Sequence, residues 1–98
     1  MKIIVRPAAA ADIENAYHWY RDKRPELGTE FLAAVRAAGS RILENPKAYS
    51  VFHREARRIR LRRFPYSILY RLYPEHIVIV ACMHGRRDPL KWRKRADG

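Results

Sequence analysis

Apolar residues in the first half of the chain recur at steps of three and four, which is the spacing of one face of an α-helix. Two such stretches occur, at about Ala8–Lys23 and Glu26–Glu44. Their apolar positions are Ile13, Ala16, Tyr17 and Tyr20 in the first stretch, and Phe31, Val35, Ala38 and Ile42 in the second. Pro25 separates the stretches and Asn45-Pro46 ends the second. Because the gap between them is short, the pattern predicts an antiparallel helical hairpin.

After Pro46 the pattern changes to the alternation of β-strands. From Arg57 to Phe64 apolar residues alternate with arginines, which predicts a half-buried strand with a cationic outer face. The segment His76–His84 is apolar on both faces, so we expect it to be a central strand. Three further strands are predicted, at Lys2–Arg6, Tyr49–His53 and Tyr66–Tyr73.

The end of the chain carries a helix start signal. Asp88 is a suitable N-cap residue and Pro89 suits the first helical position, so a short helix is predicted over Pro89–Arg95. Helices followed by a run of strands indicate an α+β fold. We therefore expect one domain, residues 1–98, with an N-terminal strand, a helical hairpin packed on a mainly antiparallel β-sheet, and a short C-terminal helix.

The charge is uneven along the chain. The formal net charge is +11; residues 1–50 hold 8 Lys/Arg and 6 Asp/Glu, whereas residues 51–98 hold 13 and 4. The two halves therefore contribute +2 and +9. Such a concentration of positive charge predicts an anionic partner, namely nucleic acid, an acidic protein or a membrane surface. The alternative is a solvated basic face without a partner.

Other residue types exclude several classes of protein. The single cysteine, Cys82, lies in an apolar run; it excludes an intrachain disulfide and fits a reducing cytoplasm. No apolar stretch approaches the ~20 residues of a membrane span, and no signal peptide is recognisable, so we expect a cytoplasmic protein. The four histidines lack the spacing of metal ligands, and no glycine-rich phosphate loop is present, so neither metal nor cofactor is predicted.

An ordered set of local features spans about ninety residues. They are Asp12 with Trp19-Tyr20, Phe31-Leu32, Asn45-Pro46 with Tyr49, Arg57, Phe64-Pro65-Tyr66 with Tyr70, and His84-Gly85-Arg86-Arg87-Asp88-Pro89 with Trp92 and Arg95. In this set the chain resembles the RelE/ParE toxins of bacterial toxin–antitoxin modules, and the ParE branch in particular. The resemblance implies a cognate antitoxin whose C-terminal segment wraps and neutralises the toxin, and DNA gyrase as the target. The alternatives are a RelE-like, ribosome-dependent mRNA endonuclease, or a degenerate toxin that only binds its antitoxin.

The chain departs from the family pattern at two places, of which the second bears on these alternatives. Alanines occupy the start of the first helix, where family members often carry a Ser or Thr cap. The mRNA-cleaving members carry an arginine early in the strand that corresponds to Tyr66–Tyr73, and this chain has none there. A ribonuclease would need an acid, a base and a cation, for which Glu55, His84 and an arginine such as Arg57 are the candidates. Because the early-strand arginine is missing, the catalytic set of the mRNA-cleaving branch is incomplete.

The binding candidates fall into two groups. Trp19 and the arginine row of the third predicted strand, Arg58, Arg60 and Arg62, are candidates for antitoxin binding. The row could contact phosphates or a carboxylate-rich peptide, or it could equally be a solvated face that protects a strand edge. Trp19 has the alternative of packing in the core. The C-terminal cationic cluster is the candidate target-binding surface, with Arg86, Arg87, Trp92, Arg93 and Arg95. Trp92 has a second interpretation, in which it packs the last turn onto the sheet.

Overall fold

The computed structural model describes residues 1–97 and has the predicted α+β architecture. A five-stranded sheet of order β1-β5-β4-β3-β2 carries two long helices on one face and one short helix on the other. In chain order the elements are β1 Lys2–Val5, α1 Pro7–Lys23, α2 Pro25–Glu44, β2 Val51–His53, β3 Ala56–Arg60, β4 Tyr66–Leu72, β5 His76–His84 and α3 Pro89–Asp97. All strand pairs are antiparallel except β1 with β5, which is parallel.

The helical hairpin forms as the sequence predicted, with each helix beginning one residue earlier. Pro7 and Pro25 occupy the first helical positions, where a missing backbone N–H costs nothing. Only Arg24 lies between the helices, and its extended backbone reverses the chain while its N–H donates to the carbonyl of Tyr20. The helices can approach closely because Gly28 faces Tyr17, and a Cβ atom there would lie 2.9 Å from the ring.

The predicted strand Arg57–Phe64 is wrong at its C-terminal end, because β3 ends at Arg60. The N–H of Leu61 donates to the carbonyl of Tyr66 across the connection to β4, and Arg63 adopts a positive φ of 70°. This turn directs Phe64 into the core below the helices. Arg62 therefore lies in the turn, so the predicted row of three arginines on one strand face contains two.

Two apolar clusters fill the two faces of the sheet. The helices cover the first, which includes Phe31, Ile42, Ile59, Ile68, Tyr70 and Ile77, all at most 2% exposed. Helix α3 covers the second, which includes Ala56, Leu69, Val80, Met83 and Trp92. The prediction that His76–His84 is apolar on both faces and lies inside the sheet is confirmed, since β5 pairs with β1 and β4.

A β-bulge in β5 determines which side chains reach the helical face. Ile79 pairs with Tyr70 and Ala81 with Leu69, so Val80 is an extra residue. A bulge of this kind shifts the alternation of side chains by one position. As a consequence, Ile79 and Cys82, three residues apart, both join the cluster beneath the helices.

We predict that the substitutions Gly28→Ala and Gly39→Ala have opposite effects on stability. The new methyl group at position 28 would meet Tyr17 at 2.9 Å and force the helices apart, at a cost of about 1–3 kcal/mol. At position 39 the nearest atom is 3.6 Å away, in Ile3, so alanine should stabilise α2 by about 0.5–1 kcal/mol. Urea denaturation of both variants measures the difference. Equal effects would contradict the close packing of the hairpin at Gly28.

Candidate functional site

The end of β5 pairs with β4 and lies between α1 and α3, which pack on the two faces of the sheet. Strand β1 pairs with β5 only as far as Ile79, where the N–H of Arg6 completes the ladder at 3.1 Å. Beyond that residue Asp12 of α1 replaces the missing strand, because its carboxylate accepts the N–H of Cys82 at 3.0 Å. The short β1 thus leaves an edge of β5 that α1 and its neighbours complete.

Arg95 connects this edge to α3. Its guanidinium donates to Asp12 at 3.1 Å through Nη1 and contacts the same carboxylate through Nη2, which also donates to the carbonyl of Ala8 at 3.0 Å. The side chains of Asp12 and Arg95 are 21% and 23% exposed, so the pair is largely shielded from solvent. Arg95, predicted to contact the target, is instead engaged inside the chain.

Trp92 is likewise a packing residue, which decides between its two interpretations. It is 4% exposed and its ring lies 5.4 Å from that of Phe52. The guanidinium of Arg58 lies above both rings, 5.3 Å from the centre of Phe52 and 5.8 Å from that of Trp92. The prediction that Trp92 is a target-contacting residue is therefore corrected, while Arg86, Arg87 and Arg93 are exposed.

A cavity of about 510 Å³ opens between α1 and the adjoining ends of β4 and β5. Trp19 stands at its side with 56% of its surface exposed, and the ammonium group of Lys23 lies 4.9 Å from the indole ring. The walls of the cavity combine apolar, aromatic and polar side chains: Asp12, Asn15, Ala16, Trp19, Tyr20, Pro65, Tyr66, Cys82, His84 and Arg87. Such a mixture can accept an apolar anchor that carries a polar or anionic group.

A second pocket, of about 280 Å³, lies mainly on the opposite face of the sheet. Arg58, Arg60 and Arg86 line it together with Ser67 and Trp92. Arg62 does not reach it and lines a separate depression beside Glu30. The structure therefore brings Arg58 and Arg60 together with Arg86, which the sequence had assigned to a different surface.

The three candidate catalytic residues do not converge. Glu55 pairs with Arg71 at 3.5 Å, at the C-terminal end of β4. His84 pairs with Tyr66 at the other end of that strand, five residues or about 17 Å away. Arg57 donates to the carbonyls of Lys47 and Tyr49, at 3.2 and 2.8 Å, and so holds the segment before β2. No common reaction centre can therefore be built from these residues.

Comparison with known proteins gives the family. The model of the ParE toxin of the type II toxin–antitoxin system, parDE, matches residues 3–89. The chain belongs to the ParE toxin family. It is 33% identical over 79 residues to Toxin ParE2 of two Mycobacterium tuberculosis strains, which covers 80% of this chain and 75% of the relative. A solved chain of the chromosomal ParDE TA system from P. aeruginosa has the same fold, with a TM-score of 0.73 and 22% identity over 86% of this chain and 95% of that one.

Several connections within this ParE-family chain have no signal in the sequence. Arg71 donates to the carbonyl of Ala96 at 3.0 Å, and Asp97 pairs with His53 and Arg54 at 3.2 and 2.9 Å. These contacts fix the C-terminal end of α3 to β4 and to the connection between β2 and β3. The partners are far apart in sequence, so no spacing rule could have paired them.

No group of three His, Cys, Asp or Glu side chains within residues 1–97 is arranged to hold a metal ion. Over the same range, none of the helices has the length and apolar character needed to cross a membrane.

The surroundings of the buried thiol beside Asp12 disfavour its thiolate form. Cys82 is 3% exposed, and burial together with the Asp12 carboxylate raises the pKa of its thiol from 9.0 to about 12. A thiolate at this position would be both desolvated and close to a negative charge. The prediction that Cys82 is an inert core thiol agrees with this environment.

This shift predicts a specific loss of stability at alkaline pH. The pKa of Cys82 is higher in the folded state, so the unfolded chain releases its proton first, and the free energy of unfolding falls as the pH rises through 9 towards 12. Between pH 8 and pH 10 the loss from this group should be about 1 kcal/mol. Urea denaturation of the native chain and of Cys82→Ala, at both pH values, isolates this contribution. An identical pH dependence in the two proteins would contradict it.

Proposed function

We propose that this chain is the toxin component of a type II toxin–antitoxin module, that a cognate antitoxin neutralises it, and that it poisons DNA gyrase by binding. Membership of the ParE toxin family and the 33% identity to Toxin ParE2 support the first part. The separation of Glu55 from His84 carries the preference for binding over catalysis. An endonuclease needs its acid, base and cation within hydrogen-bond reach of one phosphodiester.

The target-binding surface in this proposal consists of the exposed arginines after β5. Arg86, Arg87 and Arg93 are exposed, and none takes part in the ion pairs found within residues 1–97. They lie on the turn after β5 and on α3, which Arg95 and the packing of Trp92 hold in place. Cationic side chains on a fixed frame are suited to a partner that works on DNA.

The antitoxin-binding residues in this proposal lie at two places, the cavity beside Trp19 and the arginine-bearing face of β3. Trp19 is a large, half-exposed aromatic ring beside a cavity of about 510 Å³, and such rings commonly anchor a partner's helix. Arg58 and Arg60 would attract an acidic amphipathic C-terminal segment of the antitoxin and accelerate its encounter with the toxin. Arg62 lies apart from them and contributes less.

For the antitoxin, we predict that Trp19→Ala weakens the complex by about 2 kcal/mol, mainly through faster dissociation. The reason is the loss of an aromatic anchor that the antitoxin would bury at the edge of the cavity. Binding kinetics on immobilised antitoxin measure the effect. Leu43→Ala is the matched control, since Leu43 is also exposed, at 43%, but lies near the end of α2 and outside the cavity. Equal dissociation rates for both variants would remove Trp19 from the interface.

For the target, we predict that the combined variant Arg86→Ala, Arg87→Ala, Arg93→Ala loses gyrase inhibition by tenfold or more. Loss of contact residues weakens binding by ~1–3 kcal/mol. By contrast, His84→Ala should lose gyrase inhibition by less than tenfold. Removal of a general acid or base would instead lower a catalytic rate by about 10²–10⁴-fold. Gyrase supercoiling and DNA-cleavage assays, run beside ribosome-dependent mRNA cleavage, measure both variants after a check of folding.

A control for net charge is the variant Arg24→Ala, Arg36→Ala, Lys47→Ala, which removes three exposed cations from the helical hairpin and its exit. It should inhibit gyrase as the native chain does. If the native chain instead cleaves mRNA on ribosomes and His84→Ala alone abolishes that cleavage, the gyrase proposal is wrong and the RelE-like alternative replaces it.

A further inference from the structure

The cavity of about 510 Å³ beside Trp19 has the size and the wall composition of a site for a small molecule. Sites of that kind measure about 300–1,000 Å³ and combine apolar and aromatic walls with a few polar groups. The side chains of Trp19, Tyr20 and Tyr66 line this cavity, and Ala16 and Pro65 add further apolar surface. Such walls suit a planar aromatic group, which can pack against both the faces and the edges of other rings.

The aromatic wall is held in place by packing among its own rings. The ring centres of Trp19 and Tyr20 are 5.0 Å apart, in an edge-to-face arrangement. Tyr20 in turn lies 6.1 Å from Tyr66 and stacks at 5.3 Å on Phe31, which is fully buried in the core. Because the core fixes one end of this series of contacts, the rings are largely in place before a ligand enters, which lowers the entropic cost of binding.

The charges at the cavity favour an anion. Asp12 is the carboxylate that lines it, and this group is already paired with Arg95 and accepts the N–H of Cys82. Arg87, by contrast, takes part in none of the ion pairs found within residues 1–97. Burial raises the pKa of the Tyr66 hydroxyl and the guanidinium of Arg87 opposes that shift, so the free cation lies close to the aromatic wall.

His84 supplies a second donor beside Arg87. Its Nδ1 accepts the N–H of Arg86 at 3.0 Å, so the neutral imidazole carries its proton on Nε2. Both His84 and Arg87 line the cavity, and the turn between them is closed by the N–H of Arg87, which donates to the carbonyl of His84 at 3.0 Å. A carboxylate can accept from both side chains, and hydrogen bonds that involve a charged group are about twice as strong as neutral ones.

We propose that the cavity binds a free small molecule that carries one aromatic ring system and one carboxylate. The ring packs against Trp19 and Tyr66, and the carboxylate accepts hydrogen bonds from Arg87 and His84. A single small molecule can satisfy these groups because all of them line one cavity. A purely apolar ligand would leave the donors without partners. The proposal goes beyond the toxin's protein partners, since it concerns a ligand of the toxin alone.

The test titrates cinnamate into the ¹⁵N-labelled full chain and follows the backbone amide signals by NMR, beside cinnamamide, which has the same ring and no charge. Cinnamate should bind the native chain about tenfold more tightly than cinnamamide, as expected for a hydrogen bond to a charged group. Arg87→Gln should remove this preference, because it weakens the binding of cinnamate alone. Trp19→Ala should weaken both ligands by the same factor, since both present the ring.

Lys91→Gln is the matched control for charge. Lys91 is exposed near the start of α3 and does not line the cavity, so its replacement should change the affinity for either ligand by less than twofold. The signals that shift with cinnamate should be those of residues around the cavity, Trp19, Tyr66 and Arg87 among them. Circular dichroism confirms that each variant is folded.

Three results would overturn the proposal. The first is equal affinity of the native chain for cinnamate and cinnamamide, or no binding of cinnamate at millimolar concentration. The second is a loss in Lys91→Gln as large as that in Arg87→Gln. The third comes from a capped dipeptide of phenylalanine and glutamate. If this peptide binds more tightly than cinnamate and depends on Trp19 and Arg87 in the same way, the cavity receives a protein segment instead. The antitoxin and gyrase assays are read separately, so their failure is distinguishable from failure here.

Discussion

One carboxylate, that of Asp12, connects the first helix, the central strand and the C-terminal helix. Because Pro7 starts α1 immediately after β1, the strand stops opposite Ile79 and leaves the rest of β5 without a neighbour on that side. Asp12 accepts hydrogen bonds from the N–H of Cys82, which has no strand partner, and from the guanidinium of Arg95, and so joins α1, β5 and α3. If one member of a shielded ion pair is removed, the other is left charged and unpaired. The resulting loss of stability exceeds the stability that the intact pair contributes. Asp12 therefore links the helix on one face of the sheet to the helix on the other.

What lies on each face follows from the bulge at Val80. Without the extra residue, strict alternation would place Cys82 on the face that α3 covers. The bulge returns Cys82 to the helical side, where its N–H lies within reach of Asp12. It also directs the end of β5 so that His84 borders both pockets. A local irregularity in one strand thus determines how the two pockets share an edge.

Local pattern predicted the elements well because their causes are local. Prolines mark the helix starts, and the change of period at Pro46 marks the beginning of the strands. The sites were harder to predict, since an arginine looks the same in the sequence whether its guanidinium is used inside the chain or left for a partner. Arg57, Arg71 and Arg95 bind backbone carbonyls at distant positions, and Arg62 leaves its row because a turn begins at Leu61. These outcomes depend on tertiary contacts that spacing does not encode.

The division of arginines into two groups links stability to binding. Those that contact carbonyls or Asp12 have their charge satisfied within the fold, whereas those around the 280 Å³ pocket and on the turn after β5 repel one another. This repulsion destabilises the free chain. An anionic partner relieves it and adds its own binding energy to the folded state by mass action. A small basic domain of this kind is therefore expected to be most stable when an anionic partner covers these arginines.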